Sequence, residues 1–314
     1  MVTLTQLEYI VAIDTYRSFG RAAERCFITQ PTLSMQVRKL EDDLDIIIFD
    51  RTKQPLEPTV AGVRIIEQAR AILRETAGIN EIVMEYKNLR NGTLKIGVIP
   101  TLAPYLLPLF VGNYHRKYPD VTVNIEELTT GNIITALRHD LLDAGILVTP
   151  LHEAQVEEHP LFYEEMLLYM HPEHPLASCD EISVKDVHVG DLWLLGDSHC
   201  FRHQVVNLCA AGSDADNHLP FRFEAGSLET LMNIIDREGG MTLIPELATN
   251  GMSNERLLRV RSFDDATPLR EVSVVHSRHV AKSRMLDLLC KEIVASIPKK
   301  LCDCNRGTLV EWRR

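Results

Sequence analysis

The sequence predicts an α/β multidomain protein that runs from a small helical domain, through one long helix, into a larger domain of alternating strands and helices. Apolar residues recur at helical spacing through the first part of the chain, a proline-free helical stretch extends from Thr59 to about Leu89, and βαβαβ alternation follows it. The length of 314 residues exceeds that of most single domains and leaves room for two or three well-packed cores.

Three short helices are expected in the first part of the chain. LTQLEYIVAIDTY carries an apolar stripe of helical period, and Ser18 is suited to cap the helix that follows. Thr29 is suited to cap the third helix, whose first turn tolerates Pro31. The buried stripe of that third helix consists of Leu33, Val37, Leu40 and Leu44.

Hydrogen-bonding side chains surround the outward side of the third helix. Besides Met35, this side carries Gln30, Thr32, Ser34, Gln36 and Lys39. Amides pair bidentately with adenine and hydroxyls reach base edges or phosphates, so this helix suits the DNA major groove. A short hairpin should follow, in which Arg51 and Lys53 contact phosphates. A generic helical domain with a polar face fits the spacing equally well.

The long helix has apolar positions that recur at steps of three and four residues, apart from one gap across Gly78. They are Val63, Ile66, Ala69, Leu73, Ile79, Val83, Tyr86 and Leu89. About 30 residues of helix measure about 45 Å, which exceeds a small domain and suits pairing with a second copy. The alternative is a long helix that packs on its own domain.

The larger domain begins with three strands, TLKIGVI, VTVNIEEL and LDAGILV, which two helices separate. Such alternation implies a parallel sheet with helices on both faces. Further short strands are expected at MLLYM, LWLLG, GGMTLIP and REVSVVHS, before a closing helix. Ligands of open α/β sheets lie at the carboxyl ends of strands, where Thr101 and Thr130 follow the first and second strands. Helix capping by either threonine is the simpler alternative.

The net charge of −11 argues against a nucleic-acid partner until its distribution is considered. Residues 1–90 hold 12 Lys+Arg and 13 Asp+Glu, so the acidity belongs to the rest of the chain. The start lacks the basic region of a signal peptide, and no apolar run approaches the ~20 residues that a bilayer requires. We therefore expect a cytoplasmic protein with no membrane partner. Thiols stay reduced in that compartment, so its seven cysteines should form no structural framework.

The segment GDSHCFRHQVVNLCAAG, residues 196–212, places Cys200 and Cys209 nine positions apart. A cysteine near a helix N-terminus or a cation has a lowered pKa, and it reacts as its thiolate. Cys200 begins a helical stretch that Asp197 or Ser198 can cap, and Arg202 supplies a permanent charge. These features fit oxidation of Cys200 to a sulfenic acid, which a second thiol condenses into a disulfide.

Helix geometry separates these two thiols. Nine residues of α-helix span about 13.5 Å and turn about 900°, whereas a disulfide needs Cα atoms about 4.4–6.8 Å apart. A disulfide between Cys200 and Cys209 would therefore require the helix to unwind, which is a two-state element that a switch can use. Nearby, His199 and His203 can donate hydrogen bonds to a peroxide oxygen or to the thiolate. Two buried free thiols are the commoner explanation for such a pair.

The stretch SFGRAAERCFITQPTLSMQVRKLEDDLDIIIFDRT, followed by TVAG at the start of a long helix, resembles the winged helix-turn-helix of the LysR-type transcriptional regulators. The resemblance implies that base edges are contacted by Gln30, Pro31, Thr32 and Ser34. Gln36 belongs to the same expected DNA-binding surface, and Arg38, Arg51 and Lys53 should hold the DNA backbone. Met35 departs from the family, because many members have arginine there.

The same resemblance implies the domain boundaries. A winged helix-turn-helix domain is expected over residues 1–58, a dimerisation linker helix over 59–90 and a regulatory domain over 91–300. The regulatory domain should be periplasmic-binding-protein-like, with two Rossmann-like subdomains, I over 91–162 and 268–300, and II over 163–267. Residues 301–314 are expected to form a disordered tail. Its Cys302 and Cys304 give only a weak zinc signal, so no metal and no cofactor is expected.

The motif HCFRHQVVNLC, with IPTLAPYLLP and SLETLMNII, resembles the peroxide-sensing members of that family. The resemblance implies that Cys200 is the peroxidatic cysteine and Cys209 the resolving one. The peroxide pocket would then be formed by or near Thr101, Thr130, His199, Arg202 and Arg270. His203 stands where those members commonly have aspartate, which predicts a more pH-dependent sensitivity.

The resemblance therefore implies a regulator of transcription that binds double-stranded promoter DNA and is switched by hydrogen peroxide. Its expected partners are RNA polymerase, a second copy through the linker helix, a homotetramer, and a glutaredoxin or thioredoxin-type reductant. One alternative is a regulator of the same family that binds a metabolite in the cleft between the subdomains. Another is a thiol peroxidase or disulfide reductase, but the chain lacks the Cys-x-x-Cys of thioredoxin-like reductases and the DNA-binding part has no purpose in an enzyme.

Overall fold

The computed structural model describes residues 2–86, 92–209, 223–277 and 282–311. The chain divides into two compact units, the first formed by residues 1–89 and 279–281, the second by residues 90–278 and 282–314. None of the helices in the described ranges combines the length and the apolar character needed to cross a membrane.

The described residues 2–58 of the first unit contain three helices and a hairpin, as expected. Their bounds are α1 (Leu4–Tyr16), α2 (Phe19–Arg25), α3 (Gln30–Leu44), β1 (Phe49–Asp50) and β2 (Glu57–Pro58). The side chains of Ser18 and Thr29 accept hydrogen bonds from the backbone at the starts of α2 and α3, which confirms both predicted caps. The two strands pair antiparallel, which confirms the hairpin. Leu33, Val37 and Leu40 lie in the core.

The long helix α4 (Val60–Tyr86) confirms the predicted helix up to Tyr86, and residues 87–91 lie outside the described ranges. Its first half packs on its own unit, where Ile66 and Ala69 are buried. A Cβ atom on Gly62 would lie 2.0 Å from the carbonyl oxygen of Ile48, so only glycine allows α4 to approach the hairpin this closely. The second half exposes apolar side chains at Ile79, Ile82 and Val83.

The second unit is built on a mixed sheet. Its strands are β3 (Gly92–Val98), β4 (Val121–Glu127), β5 (Ala144–Thr149), β6 (Val156–Met170), β7 (Met241–Pro245), β8 (Val260–Arg261), β9 (Pro268–Ser277) and β10 (Thr308–Leu309). The strand order is β4-β3-β5-β9-β6-β7, with β8 beside β6 and β10 beside β9. The strands β3, β4 and β5 run parallel, which confirms the sheet predicted from the βαβαβ pattern.

Helices cover this sheet and connect its strands. They are α5 (Ala103–Lys117), α6 (Thr130–Arg138), α7 (Cys200–Cys209), α8 (Leu228–Glu238), α9 (Asn254–Leu257) and α10 (Ser283–Ser296). The strands β6 and β9 are the longest, and they pair antiparallel from Val156 opposite Ser277 to Glu165 opposite Leu269. Beyond that stretch β6 pairs with β7 and β8. The strand β6 therefore joins the part of the sheet around β9 to the part around β7.

The prediction of a strand at residues 192–196 is wrong. Only two isolated bridges form there, from Leu192 to Met241 and from Leu195 to Ala225. The backbone N–H of Trp193 does donate to the Met241 carbonyl at 2.9 Å, but no ladder extends from it. This apolar stretch is buried as an irregular segment.

The prediction of a disordered tail over residues 301–314 is wrong for residues 301–311. Residues 312–314 lie outside the described ranges. Two 3-10 turns, Lys299–Cys302 and Cys304–Arg306, lead into β10, which pairs parallel with β9. Burial of the Leu301 side chain and backbone hydrogen bonds to the edge of β9 order this polar segment.

Candidate functional site

Cys200 is the first residue of α7, and its side chain is buried beside the first residue of α6. Its Sγ atom lies 2.6 Å from the Oγ1 of Thr130, within hydrogen-bonding distance. A small, partly open cavity with room for about one water-sized molecule adjoins the thiol. The cavity is lined by Ile99, Pro100, Thr101, Thr129, Thr130, Ser198, His199, Cys200 and Phe201. The predicted Thr101, Thr130, His199 and Cys200 are thus brought together.

Neither threonine caps a helix. Leu102 precedes α5 and Thr129 precedes α6, and no side-chain cap hydrogen bond forms at either start. Both Thr101 and Thr130 are buried and face the cavity, so the capping alternative is wrong.

Arg270 lies behind the cavity and is fully buried. Its guanidinium forms an ion pair with Glu164, whose Oε1 lies 2.6 Å from Nη2 and 2.8 Å from Nε. It also donates to the Thr101 hydroxyl at 3.2 Å and to the Thr101 carbonyl at 3.1 Å. The same guanidinium lies 5.1 Å from the ring centre of Phe201, the residue after Cys200. Arg270 therefore holds the threonine wall of the cavity in place.

The surroundings of Cys200 act on its pKa in opposite directions. Burial is the largest influence and raises the pKa above its ordinary value. The Thr130 hydroxyl, backbone N–H groups at the start of α7 and the charge of Arg270 all lower it, in that general order of importance. The net pKa is raised, so the expectation of a lowered pKa is wrong for this state. The helix N-terminus lowers the pKa as expected, but the cation that lowers it is Arg270 rather than Arg202, and desolvation outweighs both.

Cys209 ends the same helix and is also buried. Burial raises its pKa to about 12, so it is a neutral thiol at neutral pH. The whole stretch Cys200–Cys209 is helical, which confirms the prediction for these residues. Ideal helix geometry then separates the two Cα atoms by about 13.5 Å along the axis, so no disulfide can close in this state.

Arg202 is not among the residues that line the cavity, and its expected place in or around the peroxide pocket stays a prediction. It donates to the Leu195 carbonyl at 3.1 Å and pairs with Asp197 at 2.7 Å. Its side chain therefore fixes the loop that precedes α7. The helix begins at Cys200, so neither Asp197 nor Ser198 is the residue directly before it, and the cap expected from them is wrong.

The two histidines beside the thiol differ in position. The His199 ring is buried on the cavity wall, and burial lowers its pKa, although the charge of Glu127 opposes this. A neutral imidazole therefore faces the cavity near neutral pH. The Nδ1 of His203 lies 3.4 Å from the His199 carbonyl oxygen and away from the cavity lining. The pH-dependent effect expected of His203 stays a prediction.

One group of described side chains outside this site has the residue types of a metal centre. Ligand atoms of Glu157, His159 and His276 lie within 4.8 Å of one another on the paired strands β6 and β9. The two imidazoles stack at 4.8 Å with their planes 22° apart.

The predicted DNA-binding residues occupy one surface of the first unit. At the start of α3, Gln30, Pro31, Thr32 and Arg38 are exposed, and Ser34 and Gln36 are half-buried. Met35, which departs from the family, is 62% exposed on the same helix. These side chains include amide and hydroxyl groups of the kind that contact base edges, and their contact with DNA stays a prediction.

The two hairpin cations already have protein partners. Arg51 pairs with Glu41 at 3.0 Å and lies 5.2 Å from the ring centre of Phe19. Lys53 pairs with Glu57 at 2.5 Å at an exposed position. A phosphate would compete with Glu41 and Glu57 for these cations.

Sequence reasoning missed three residues of these sites. Glu164 neutralises Arg270, Glu41 accepts from the backbone of Ile48 at 2.8 Å, and Gln204 is fully buried in α7. A glutamate inside the apolar run of β6 signals a buried partner, because an unpaired buried carboxylate is costly. The other two residues carry no comparable signal.

Both parts of the chain match the same family. The bacterial regulatory helix-turn-helix proteins of the lysR family match residues 4–63, and the LysR substrate binding domain matches residues 87–296. A hydrogen peroxide-inducible genes activator of Dickeya chrysanthemi is 39% identical over 79% of this chain and 80% of the relative. The DNA-binding transcriptional dual regulator OxyR of Escherichia coli is 38% identical over 79% of this chain and 80% of the relative.

Solved structures agree with these relatives. A full-length OxyR cysteine-to-aspartate variant from Pseudomonas aeruginosa has a TM-score of 0.77 and 34% identity, and the match covers 98% of this chain and 100% of that one. A cysteine-to-serine variant of OxyR from Corynebacterium glutamicum with bound hydrogen peroxide has a TM-score of 0.57 and 26% identity, and the match covers 94% of each chain. The chain belongs to the LysR family of bacterial helix-turn-helix regulators and is similar to its OxyR members over most of its length.

Proposed function

We propose that this regulator senses hydrogen peroxide through reversible formation of a Cys200–Cys209 disulfide, which changes how it acts on promoter DNA. The observation that carries the proposal is the Cys200 thiol at 2.6 Å from Thr130 and beside a small polar cavity, with Cys209 at the far end of the same helix. The names of the relatives, hydrogen peroxide-inducible genes activator and OxyR, support it.

The chemistry requires two steps. The Cys200 thiolate attacks one oxygen of hydrogen peroxide, the O–O bond breaks, and the departing hydroxide takes up a proton to leave as water. Thr130 donates a hydrogen bond to the thiolate, and Thr101, held by Arg270, faces the peroxide. The resulting sulfenic acid reacts with Cys209, so that the S–O bond breaks, the S–S bond forms and a second water leaves. A glutaredoxin or thioredoxin-type dithiol returns both thiols to the reduced state.

The size of the cavity favours peroxide over a metabolite. The cavity beside Cys200 has room for about one water-sized molecule, whereas pockets for larger organic ligands have volumes of about 300–1,000 Å³. The two threonine hydroxyls and the neutral His199 ring supply the donors and acceptors that a peroxide needs. A thiol at the wall of this small polar cavity thus supports the redox function over a metabolite-binding one.

The disulfide requires α7 to unwind, and this change is the proposed signal. Domain boundaries at residues 58 and 90 and a crossing of the chain between subdomains near 163 and 268 complete the proposed organisation. We place the dimer contact on the exposed apolar residues Ile79, Ile82 and Val83 of α4, and we expect assembly into a tetramer that contacts RNA polymerase. Substitution Ile82→Glu should then lower the molar mass measured by light scattering.

The proposal is tested by peptide mass spectrometry of the peroxide-treated protein, which should find one linked pair, Cys200 with Cys209. In a promoter-reporter assay, Cys200→Ser should abolish the peroxide response while the variant still binds DNA. Cys179→Ser, at a half-buried position away from the cavity, is the matched control and should respond normally. A full peroxide response in the Cys200→Ser protein would refute the proposal.

A further inference from the structure

The C-terminal segment 298–311, here called the strap, runs from the end of α10 to the helix α7 that carries both thiols. The side chain of Gln204 donates a hydrogen bond from Nε2 to the Val310 carbonyl at 2.9 Å. The side chain of Asn207 donates from Nδ2 to the Glu311 carbonyl at 3.1 Å. The middle and the end of α7 therefore both bind the strap backbone.

These contacts depend on the helical state of α7. Cys200, Gln204 and Asn207 stand at positions i, i+4 and i+7, so they share one face of the helix. Gln204 is fully buried and cannot exchange its bond to Val310 for one to water without a movement of the helix or the strap. Unwinding of α7 would remove this spacing and break both hydrogen bonds.

The strap is also attached to the strand that carries Arg270. Thr308 donates its backbone N–H to the Thr267 carbonyl at 2.9 Å, and Val310 donates to the Leu269 carbonyl at 2.8 Å. A Cβ atom on Gly307 would lie 2.2 Å from the Thr267 carbonyl oxygen, so this approach requires glycine. The strap thus lies directly beside Arg270, which orients Thr101 at the cavity.

A third attachment lies nearer the start of the strap. The carboxylate of Glu246 pairs with Lys300 at 2.5 Å and with Arg306. Arg306 also donates to the Tyr163 carbonyl at 2.9 Å. The strap is therefore fixed at Glu246, at β9 and at α7, so that its end cannot follow α7 freely when that helix unwinds.

We propose that the strap sets the redox potential of the Cys200–Cys209 pair, with Gln204 as the positioning residue, an inference that rests on the proposed function. The bonds from Gln204 and Asn207 exist in the dithiol state and are lost when the disulfide unwinds α7. They stabilise the dithiol, so they make the pair easier to reduce and raise its potential. By linkage, oxidation must loosen the end of the strap by the same free energy.

The test measures the equilibrium between the protein and glutathione, in which oxidised glutathione takes two electrons and two protons from the dithiol and becomes two molecules of reduced glutathione. In Gln204→Met the donor is lost while side-chain volume is retained. We expect about a tenfold shift toward the disulfide, which corresponds to a potential lower by about 30 mV. Asn207→Ala, at an exposed position, should shift the equilibrium in the same direction by about threefold. The matched control Gln155→Met, at an exposed loop position, should leave it unchanged.

Hydrogen exchange of the unmodified protein tests the reverse coupling and needs no variant. The amide protons of Thr308 and Val310, which are hydrogen-bonded in this state, should lose protection when the disulfide forms. Two results would overturn the role of the strap. One is equal protection of these amide protons in both redox states. The other is a redox potential of Gln204→Met and of Asn207→Ala that equals or exceeds that of the unmodified protein. Failure of the unmodified protein to form the Cys200–Cys209 disulfide would instead refute the proposed function itself.

Discussion

At the scale of single residues, the Thr130 hydroxyl oxygen lies 2.6 Å from the Cys200 sulfur. Burial raises the pKa of this thiol, and of the influences that lower it the Thr130 hydroxyl is the largest. Loss of the hydroxyl should therefore raise the pKa further and reduce the population of the reactive thiolate.

Substitution Thr130→Val should slow the reaction with hydrogen peroxide by about tenfold to a hundredfold, because a hydrogen bond to a charged group contributes about 1.5–3 kcal/mol. The rate can be followed by trapping the sulfenic acid and measuring it by mass spectrometry. Thr135→Val on the same helix, where the hydroxyl bonds only to the Gly131 carbonyl, is the matched control. Equal rates in the two variants would show that the Thr130 hydroxyl does not activate the thiol.

A second residue-scale prediction concerns pH. Burial lowers the pKa of His199, so the folded reduced protein binds fewer protons at this ring than the unfolded chain does. The resulting stability is present above the unfolded value of about 6.5 and is lost as the pH falls through the lowered folded pKa. We expect the urea midpoint of the reduced protein to fall between about pH 7.5 and about pH 5.5, and to fall less in His199→Gln. The same dependence in both proteins would exclude His199 as its source.

At the scale of elements, two glycines of α4 provide a matched comparison. A Cβ atom at Gly62 would lie 2.0 Å from the Ile48 carbonyl oxygen, whereas one at Gly78 would meet no described atom within 4 Å. Gly62→Ala should therefore push α4 away from the hairpin, at a cost of about 3 kcal/mol in the free energy of unfolding, and weaken DNA binding. Gly78→Ala should be stabilising by about 0.5–1 kcal/mol. Chemical denaturation measures both, and similar values would contradict the close approach at Gly62.

The sequence was most informative where the spacing of apolar residues or a helix-capping side chain determines local structure. The apolar steps predicted α3 and α4, and the hydroxyls of Ser18 and Thr29 cap the helices expected from them. Residues that act through distant partners were harder to predict. The pKa of Cys200 depends on how deeply α7 is buried, and the order of residues 301–311 depends on pairing with β9, neither of which is local in the sequence.

Arg202 illustrates the same limit within one segment. Its position two residues after Cys200 suggested a cation beside the thiol, but residues two apart on a helix point in different directions. The side chain turns to the loop at Leu195 and Asp197 instead. The cation that does influence Cys200 is Arg270, which comes from a strand seventy residues later in the chain. The resemblance to a family indicated Arg270, and spacing alone could not.

At the scale of the whole molecule, the charge distribution bears on DNA binding. The net charge of −11 resides almost entirely outside the first 90 residues, so attraction to phosphate must come from a few cations on the first unit. Two of these, Arg51 and Lys53, are paired with Glu41 and Glu57. Contact of Arg51 or Lys53 with a phosphate would therefore require an exchange of partners.

Substitution Lys53→Ala should weaken binding about equally for all DNA sequences and reduce the slope of log affinity against log salt by about 1. Glu57→Gln should have the opposite effect on affinity, because it releases Lys53 from an exposed ion pair. Fluorescence anisotropy with promoter and unrelated duplexes over a range of salt concentrations measures both. A sequence-dependent loss in Lys53→Ala would indicate that this residue reads bases rather than phosphates.

Because the two thiols are separated along α7, disulfide formation competes with further oxidation of Cys200. In the proposed mechanism, the sulfenic acid at Cys200 must wait until the helix opens, because Cys209 is about 13.5 Å away along the axis of the closed helix. A second peroxide that arrives during this delay converts the sulfenic acid to a sulfinic acid, which cannot form the disulfide. The opening rate of α7 therefore sets the highest peroxide dose that the regulator can report before it is inactivated.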